Sequence, residues 1–261
     1  MKKKIVAIGG GENGRLLEDG SVTLYETEKI DEEIVKLAKK KRPNYLFINH
    51  SMCFSEEIQK SYFNVMKKIY GNKFGCECKC LCSNDLLNKR LVNELVKWAD
   101  IIYEGGGDTK AMINIWLETG FDKTLYDAWN KGKVICGISA GAVCWFKECN
   151  SDSICDGENI FETVKCLNWF NLFVTPHCDE NGRYTSTREQ LKKNGQIGIM
   201  LSNRSAIEII DDKFKIILNR LDNKLEPYVL KSYWNNEKYH EEKLVNEIEF
   251  LPIDKLYSID D

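Results

Sequence analysis

Short apolar runs alternate with amphipathic stretches through the first half of the chain, and this alternation limits the folds open to it. Residues 5–8, 45–49, 101–104 and 134–137 form the apolar runs, and residues 31–41 are an example of the stretches between them, with apolar side chains at helical spacing. Buried strands that alternate with amphipathic helices are typical of a mostly parallel sheet. We therefore predict an α/β fold in which helices flank both faces of such a sheet.

The pattern changes in the C-terminal part, where two apolar runs flank a pair of aspartates. Residues 206–210 and 213–218, on either side of Asp211 and Asp212, predict a β-hairpin extension of the sheet. No internal repeat or low-complexity linker interrupts the sequence, and a chain of 261 residues can bury about three-quarters of its surface around one core. We predict a single domain over residues 1–261.

The charge balance and the hydropathy argue against several classes of partner. Lys and Arg number 37 against 40 Asp and Glu, without a basic cluster, which is unlike a nucleic-acid-binding protein. No apolar run approaches the roughly 18 residues of a membrane span, and the run at residues 5–8 is too short for the core of a signal peptide. We expect a cytoplasmic protein without nucleic-acid or membrane partners.

The 11 cysteines are the unusual part of the composition. An odd number of cysteines in a chain without a secretion signal predicts reduced thiols rather than a disulfide framework. Cys76, Cys78, Cys80 and Cys82 alternate along one predicted strand, so their side chains share a face and fit packing better than the convergent turns of a zinc site. We predict no metal and no cofactor.

Residues 137–141, Gly-Ile-Ser-Ala-Gly, match the G-x-S-x-G pattern of a nucleophile elbow. The apolar run before them predicts a strand and residues 142–146 predict a short helix, so the serine falls on a strand-to-helix turn. Small neighbours let the backbone turn tightly there, and the amide of Ala140 then faces the position of a developing oxyanion. We predict that Ser139 is a nucleophile.

Histidine is scarce, which narrows the search for a general base. The sequence holds 3 histidines, namely His50, His177 and His240. His177 follows a predicted strand at residues 172–175, and open α/β sheets place their sites at the edge where the carboxyl ends of the strands meet. His240 lies in a charged segment that is typical of an exposed surface. We predict that His177 is the base.

Two glycine-rich turns also follow predicted strands. Residues 105–107 are three glycines before a helix that Asp108 or Thr109 would cap, and amides in such a turn can approach a substrate carbonyl without a side chain in the way. Residues 9–14 fit G-x-G-x-x-G, but no helix follows at once, which favours a loop lining a cleft over a dinucleotide site.

In this order, the motifs resemble those of the serine peptidases that include dipeptidase E (aspartyl dipeptidase) and cyanophycinase. The matching pieces are residues 9–11, residues 105–109, residues 139–142, and Pro-His at 176–177 followed by Thr-Arg-Glu-Gln at 187–190. The resemblance implies a fold similar to that of the class I glutamine amidotransferases, with serine in place of their cysteine. It also implies hydrolysis of short peptides with an acidic residue on the N-terminal side of the cut, such as Asp-X dipeptides.

The resemblance assigns a catalytic role to several residues. By position, Ser139 would be the nucleophile of an acyl-enzyme reaction and His177 the general base. Gly106 or Gly107, together with Ala140, would form the oxyanion hole.

The resemblance also implies substrate-binding residues. Arg188 stands where dipeptidase E has an arginine suited to a substrate carboxylate, and a guanidinium can bind a carboxylate through two parallel hydrogen bonds. Gly11 would line the substrate site. The family usually has Asn after the glycine turn, whereas this chain has Asp108.

The acid of the triad lies between the nucleophile and the histidine in this family. Asp152 best fits that place, and Asp156 and Glu158 in the same loop are the alternatives.

Two other functions remain open on the sequence. An α/β-hydrolase esterase would use Ser139 with Asp211 or Asp212 and with His240, because its chain order is serine, acid, histidine. A relative that kept the fold but lost catalysis would bind a small molecule instead.

Overall fold

The computed structural model describes residues 1–17, 19–152 and 160–259. The strands are, in chain order, β1 (Lys4–Ile8), β2 (Asn44–Phe47), β3 (Glu77–Cys80), β4 (Ile101–Glu104), β5 (Val134–Ile138), β6 (Phe146–Ser151), β7 (Glu162–Lys165), β8 (Phe170–Thr175), β9 (Gly198–Leu201), β10 (Ser205–Ile210), β11 (Lys213–Leu218), β12 (Val229–Asn235), β13 (Lys238–Lys243) and β14 (Leu251–Pro252). The α-helices are α1 (Glu28–Leu37), α2 (Glu56–Lys67), α3 (Lys89–Trp98), α4 (Thr109–Thr119), α5 (Phe121–Asn130), α6 (Ala140–Val143) and α7 (Arg183–Asn194).

The larger sheet contains the strands that the apolar runs predict. Within the described residues it has 8 strands in the order β14-β11-β10-β1-β5-β4-β2-β3. The neighbouring strands β1, β5, β4, β2 and β3 run parallel to one another. The strands β10, β11 and β14 pair antiparallel with their neighbours. The predicted hairpin is β10 and β11, and it pairs directly with β1. The α/β fold with a hairpin extension is therefore confirmed.

A second sheet was not expected from the sequence. It has 6 strands in the order β13-β12-β9-β8-β6-β7 among the described residues. Its strand β6 starts at Phe146, and β12 pairs with β9 rather than with a strand of the larger sheet. The outer strands β7 and β13 are mostly polar and bury one residue between them, Val164, so they lack the apolar alternation by which a strand is recognised.

The two sheets share one hydrophobic core. Ile5 of β1 and Ile135 of β5 belong to the same buried cluster as Leu172 of β8 and Ile199 of β9. This cluster also includes residues of α3, α4 and α5, whereas α1 and α2 pack on the other face of the larger sheet in a separate cluster. Helices therefore flank both faces of the larger sheet, and the smaller sheet covers the rest of one face.

The cysteines in and directly before β3 contribute to packing. Cys76 belongs to the cluster under α1 and α2, and Cys78 and Cys80 pack against it. The described cysteines are free thiols, and the described residues contain no group of three or more His, Cys, Asp or Glu side chains suited to a metal ion. In the same ranges no helix combines the length and the apolar character needed to cross a membrane.

Candidate active site

Ser139 lies on a tight turn between β5 and α6. Its φ of 55° and ψ of −116° are a conformation that L-residues rarely adopt. Its amide donates to the carbonyl of Ile8 at 3.0 Å, and its own carbonyl accepts from the amides of Ala142 at 2.9 Å and Val143 at 3.1 Å. The predicted strand-to-helix turn is thus present, with the serine in a strained conformation at its apex.

The two glycines of the G-x-S-x-G pattern are required by close backbone packing. A Cβ on Gly141 would overlap the carbonyl oxygen of Glu104, and a Cβ on Gly137 would lie 2.6 Å from the same oxygen. The amide of Gly141 donates to the carbonyl of Gly105 at 3.1 Å. The serine turn therefore packs directly on the end of β4, without room for side chains between them.

The glycine turn at residues 105–107 lies beside the serine. A Cβ on Gly106 would be 3.3 Å from the Cβ of Ser139 and 3.8 Å from its Oγ. Gly107 has a φ of 150°, and a Cβ there would be 2.6 Å from the carbonyl oxygen of Ser51. Glycine is therefore needed at position 107, and a side chain at position 106 would crowd Ser139, so the turn presents backbone rather than side chains to Ser139.

Asp108, which replaces the usual Asn of the family, acts as a helix cap. Its Oδ1 accepts a hydrogen bond of 2.9 Å from the amide of Ala111 in the first turn of α4. A carboxylate is favourable at a helix N-terminus, because the unpaired amides there carry partial positive charge. Part of the extra negative charge near the glycine turn is therefore offset by the helix itself.

A buried carboxyl lies beneath the glycine turn. The side chain of Glu104 accepts hydrogen bonds from the amides of His50 at 3.2 Å and Ser51 at 3.0 Å. Burial raises the pKa of Glu104 to about 8 although these hydrogen bonds oppose the rise. Because Ser51 also packs against Gly107, Glu104 is linked to the turn through this segment.

We expect Glu104→Gln to flatten the dependence of stability on pH. The folded chain holds the Glu104 proton up to about pH 8, whereas an unfolded glutamate loses it near its ordinary value of 4.5. Glu104 therefore stabilises the fold fully below that ordinary value, and this contribution is lost as the pH rises to about 8.

Each pKa unit corresponds to about 1.4 kcal/mol, so between pH 5 and pH 8 the wild type should lose at least roughly that much more free energy of unfolding than Glu104→Gln. Denaturant unfolding at both pH values measures the difference. Other buried groups such as Asp31 and Glu208 contribute equally in the two proteins, so their contributions cancel. Equal losses in the two proteins would contradict the assignment.

His177 follows β8 and is anchored to the residues after β1. Its amide donates to the carbonyl of Gly9 at 3.0 Å, and its ring packs so closely on Gly10 that a Cβ there would overlap Nδ1 and Cε1. The carbonyl of Ile8, the residue before Gly9, accepts a hydrogen bond from the amide of Ser139. Consecutive residues thus hold both the predicted nucleophile and the predicted base at one edge of the larger sheet.

The Nδ1 atom of His177 faces two acceptors that the sequence did not indicate. The Oδ1 of Asn203 lies 2.7 Å away and the Oε1 of Glu180 lies 3.1 Å away. The hydrogen bond from the His177 ring, supported by the His177 charge, the Asn203 amide and Arg183, lowers the pKa of Glu180 to about 2. Of the two acceptors, Glu180 has the stronger sequence signal, because it follows His177 by three positions.

Asp152, expected as the acid of the triad, is in an ion pair instead. Its Oδ2 lies 2.7 Å from the Nη2 of Arg183, a buried residue whose Nε is 3.9 Å from Glu180. Among the described residues, Asn203 and Glu180 take the place beside His177 that was expected for Asp152. The alternatives Asp156 and Glu158 lie outside the described residues.

The other two histidines have different surroundings. His50 is buried, its Nε2 donates to the carbonyl of Leu81 at 2.8 Å, and its Nδ1 accepts from the Nε1 of Trp116 at 2.9 Å. Burial lowers the pKa of His50 to about 3, so the ring is a neutral structural element. His240 lies on β13 with its ring stacked on Tyr233 at 5.1 Å between centroids.

The alternative esterase triad is not assembled in the described structure. The Oδ1 of Asp211 accepts from the amide of Lys3 at 2.8 Å, which places it before the start of β1. Ser139 is bonded at the opposite end of that strand, about 16 Å away at the usual rise per residue. Asp212 is the next residue of the same turn, so it shares this location.

The predicted substrate-binding residues have different neighbours in the structure. The guanidinium of Arg188 stacks 4.4 Å above the ring of Tyr239, and the carbonyl of Arg188 accepts from the Nε1 of Trp234 at 2.9 Å. These contacts place Arg188 against the β12–β13 hairpin. Gly11, with a φ of 131°, follows the glycine that packs on His177 and lies against Thr27.

A second arginine lies beside this edge, and no sequence pattern indicated it. Arg204 is only 5% exposed, and its amide donates to the carbonyl of Gly10 at 2.9 Å. Its Nη2 donates to the carbonyl of Leu225 at 2.6 Å, whereas its Nη1 is buried without a hydrogen-bond partner. A buried cation with an unsatisfied donor is costly, which makes it a candidate for contact with an anionic group.

This fold and this edge define a class of protein, an α/β protein that presents a serine on a strained strand-to-helix turn, which is the geometry of a nucleophile elbow. The sequence model of Peptidase family S51 matches residues 19–217. The chain therefore belongs to peptidase family S51 and is a serine peptidase, as the motif resemblance implied.

Individual relatives agree with this assignment. The chain is 28% identical over 224 residues to the uncharacterized peptidase YgaJ of Bacillus subtilis (strain 168), which covers 84% of this chain and 88% of that protein. The fold of the present chain is similar to that of a peptidase from an acI-B1 Actinobacterium, with a TM-score of 0.69, 17% identity and 97% of both chains covered. A putative peptidase E protein from Listeria monocytogenes EGD-e gives a TM-score of 0.60 at 17% identity, over 85% of this chain and 100% of the other.

Proposed function

We propose that this serine peptidase hydrolyses short peptides through an acyl-enzyme on Ser139, with His177 as the general base. The observation that carries the proposal is the shared anchoring of the two residues. Ser139 is bonded to the carbonyl of Ile8, and His177 to the carbonyl of Gly9, so both side chains arise at one point of the sheet edge.

The reaction follows from the roles of these two side chains. The Nε2 of His177 takes the proton of Ser139 as Oγ attacks the peptide carbonyl carbon, and a C–O bond forms while the carbonyl becomes an oxyanion. The same proton then passes to the leaving amine as the C–N bond breaks. A water molecule repeats these steps on the ester, releasing the acid and the free serine.

Backbone amides supply the stabilisation of the oxyanion. Ala140 begins α6 directly after Ser139, and the turn with Gly106 and Gly107 lies beside the nucleophile. Fixed amide donors at such a position stabilise the developing negative charge without having to reorganise. We assign the oxyanion hole to Ala140 together with Gly106 or Gly107.

We also propose a reducing, cytoplasmic location, which the free thiols support. The substrates that we propose for this site are Asp-X dipeptides. The proposal needs a cation for the acidic side chain. The two candidates are Arg188, on the motif that resembles the family, and Arg204, whose backbone amide binds the carbonyl of Gly10 and whose Nη1 has no hydrogen-bond partner. Gly11 would line the pocket between the catalytic edge and Arg204.

A fluorophosphonate probe tests the catalytic assignment. We expect it to label Ser139 in the folded wild type, to label His177→Ala at least about 100-fold more slowly because the base is missing, and to label the control His240→Ala at the wild-type rate. Mass spectrometry identifies the labelled residue. Absence of labelling at Ser139 in the folded protein would contradict the proposal and favour a catalytically silent relative.

A dipeptide library tests the substrate class. We expect Asp-X substrates to be cleaved faster than neutral X-X substrates, and Arg188→Gln or Arg204→Gln to remove that preference while neutral dipeptides are still cleaved. A preference for neutral or basic first residues in the wild type would overturn the acidic specificity and leave the catalytic assignment intact.

A further inference from the structure

The imidazole of His177 has an unusual set of neighbours on the side that would face away from the substrate. A serine peptidase needs the Nδ1–H of its histidine to be held by an acceptor, which keeps Nε2 free to take the serine proton. The acceptor is usually one carboxylate. Here Nδ1 lies 2.7 Å from an amide oxygen of Asn203 and 3.1 Å from a carboxylate oxygen of Glu180.

The orientation of the Asn203 amide is determined by its other contacts. Its Nδ2 donates to the Oε1 of Glu180 at 3.1 Å, and its backbone amide donates to the Oδ1 of Asp179 at 2.8 Å. With Nδ2 directed at a carboxylate, Oδ1 must be the atom that faces the ring. An amide oxygen only accepts hydrogen bonds, so Nδ1 carries the proton and Nε2 has the free lone pair.

Glu180 adds the negative charge that an asparagine lacks. Its side chain is 52% exposed, yet the ring of His177 and the amide of Asn203 bind its Oε1 from two directions. Arg183 lies 3.9 Å from its Oε2, and Asp152 pairs with that arginine at 2.7 Å. The low pKa of Glu180 keeps this carboxylate ionised across the pH range in which a histidine base works.

We propose, on the basis of the function proposed above, that Asn203 and Glu180 together are the positioning group of His177, divided between two side chains. Asn203 fixes the tautomer and the ring orientation. Glu180 orients the asparagine amide and stabilises the imidazolium that forms when Ser139 gives up its proton. The Nδ1 proton stays on the ring throughout, and Asp152 acts only by holding Arg183 beside Glu180.

The rate of fluorophosphonate labelling at Ser139, measured across pH, tests this division without a known substrate. We expect Asn203→Ala to slow labelling by about 100-fold or more and Glu180→Gln by about 10-fold, since loss of an orienting acid costs serine peptidases up to about 10,000-fold. Asn203→Asp, which keeps an acceptor oxygen beside Nδ1, should stay within about 10-fold of the wild type. Asp152→Asn should stay within about 3-fold.

The pH profile separates positioning from mere support of the loop. Without the carboxylate charge the imidazolium is less stable, so the acid limb of the Glu180→Gln profile should move to lower pH, and that of Asn203→Asp to higher pH. The matched control is Glu226→Gln, because Glu226 is also 52% exposed and paired with an arginine but lies outside the site. Its rate and profile should equal those of the wild type.

Two results would overturn the inference. The first is wild-type rates and acid limbs in both Asn203→Ala and Glu180→Gln while Ser139 is still labelled, which would leave the proposed function standing. The second is a larger loss in Asp152→Asn than in either, which would return the role to Asp152. If Asn203→Ala does not fold, Asn203→Asp and Glu180→Gln decide the question. A wild type that is not labelled at Ser139 would instead contradict the proposed function itself.

Discussion

Replacing Ser139 by alanine is expected to lower kcat for the best dipeptide by about 100,000-fold or more, because the acyl-enzyme cannot form. Alanine keeps the Cβ and removes only the hydroxyl, so the turn and the hydrogen bonds of the Ser139 backbone should persist. Steady-state hydrolysis measures the loss, with circular dichroism as the control for folding. Residual activity within about 10-fold of the wild type would show that another residue is the nucleophile.

A second substitution at the same position checks the strain of the turn. Ser139 has a φ of 55°, a region in which glycine has no steric penalty and alanine has a penalty of about 1–2 kcal/mol. Ser139→Gly should be as inactive as Ser139→Ala but should unfold at a higher temperature. An equal or lower melting temperature for the glycine variant would contradict the strained geometry.

The variant Gly141→Ala is expected to have the largest effect on stability. Its added Cβ would overlap the backbone of Glu104, with the Cβ of Glu104 only 2.8 Å away, and neither element can move without shifting β4 or the serine turn. Overpacking of this kind in a fully buried site should cost about 3 kcal/mol or more, or prevent folding. Chemical unfolding, or the soluble yield if folding fails, measures the effect.

Gly71→Ala is the matched control for this prediction. Gly71 lies at the C-terminal end of the helical segment that begins with α2, its φ is not positive, and the nearest atom to an added Cβ is 3.4 Å away. That variant should stay within about 1 kcal/mol of the wild type. Similar losses in the two variants would show that the space around Gly141 is less restricted than described.

The local part of the site was predictable because it is encoded by neighbouring residues. The G-x-S-x-G pattern fixes a turn whose tightness depends on its own glycines, and the same holds for the glycine turn with Gly106. His177 was found because only 3 histidines exist and one of them ends a strand. The close approach of His177 to Gly10 was not visible, because it joins residues distant in sequence.

The neighbours of His177 could not be predicted in the same way. The order of the motifs in the family indicated Asp152, but in the structure this carboxylate forms an ion pair with Arg183. Asn203 reaches the ring only because β9 ends beside β8, a pairing between strands separated by the whole of α7. A neutral asparagine also carries no signal of catalysis in a sequence.

The fold was predicted where strands are buried on both faces and missed where they are not. Residues of β1, β4 and β5 are almost entirely buried, and their sequences are apolar except for Lys4 and Glu104 at strand ends. β7 and β13 lie at the two edges of the smaller sheet, and Val164 is the single buried residue in the two strands, so their composition resembles that of a loop. Sheet edges are thus the part of such a chain that sequence patterns describe least well.

The hydrogen bonds of Ser139 to Ile8 and of His177 to Gly9 have a mechanical consequence. The serine ends a strand of one sheet and the histidine ends a strand of the other, so relative sliding of the sheets would ordinarily change their separation. Because the adjacent carbonyls of Ile8 and Gly9 bind the two amides, both residues are held by the same short peptide segment. We therefore expect relative motion of the two sheets to disturb the alignment of the nucleophile with its base less than it disturbs other contacts between the sheets.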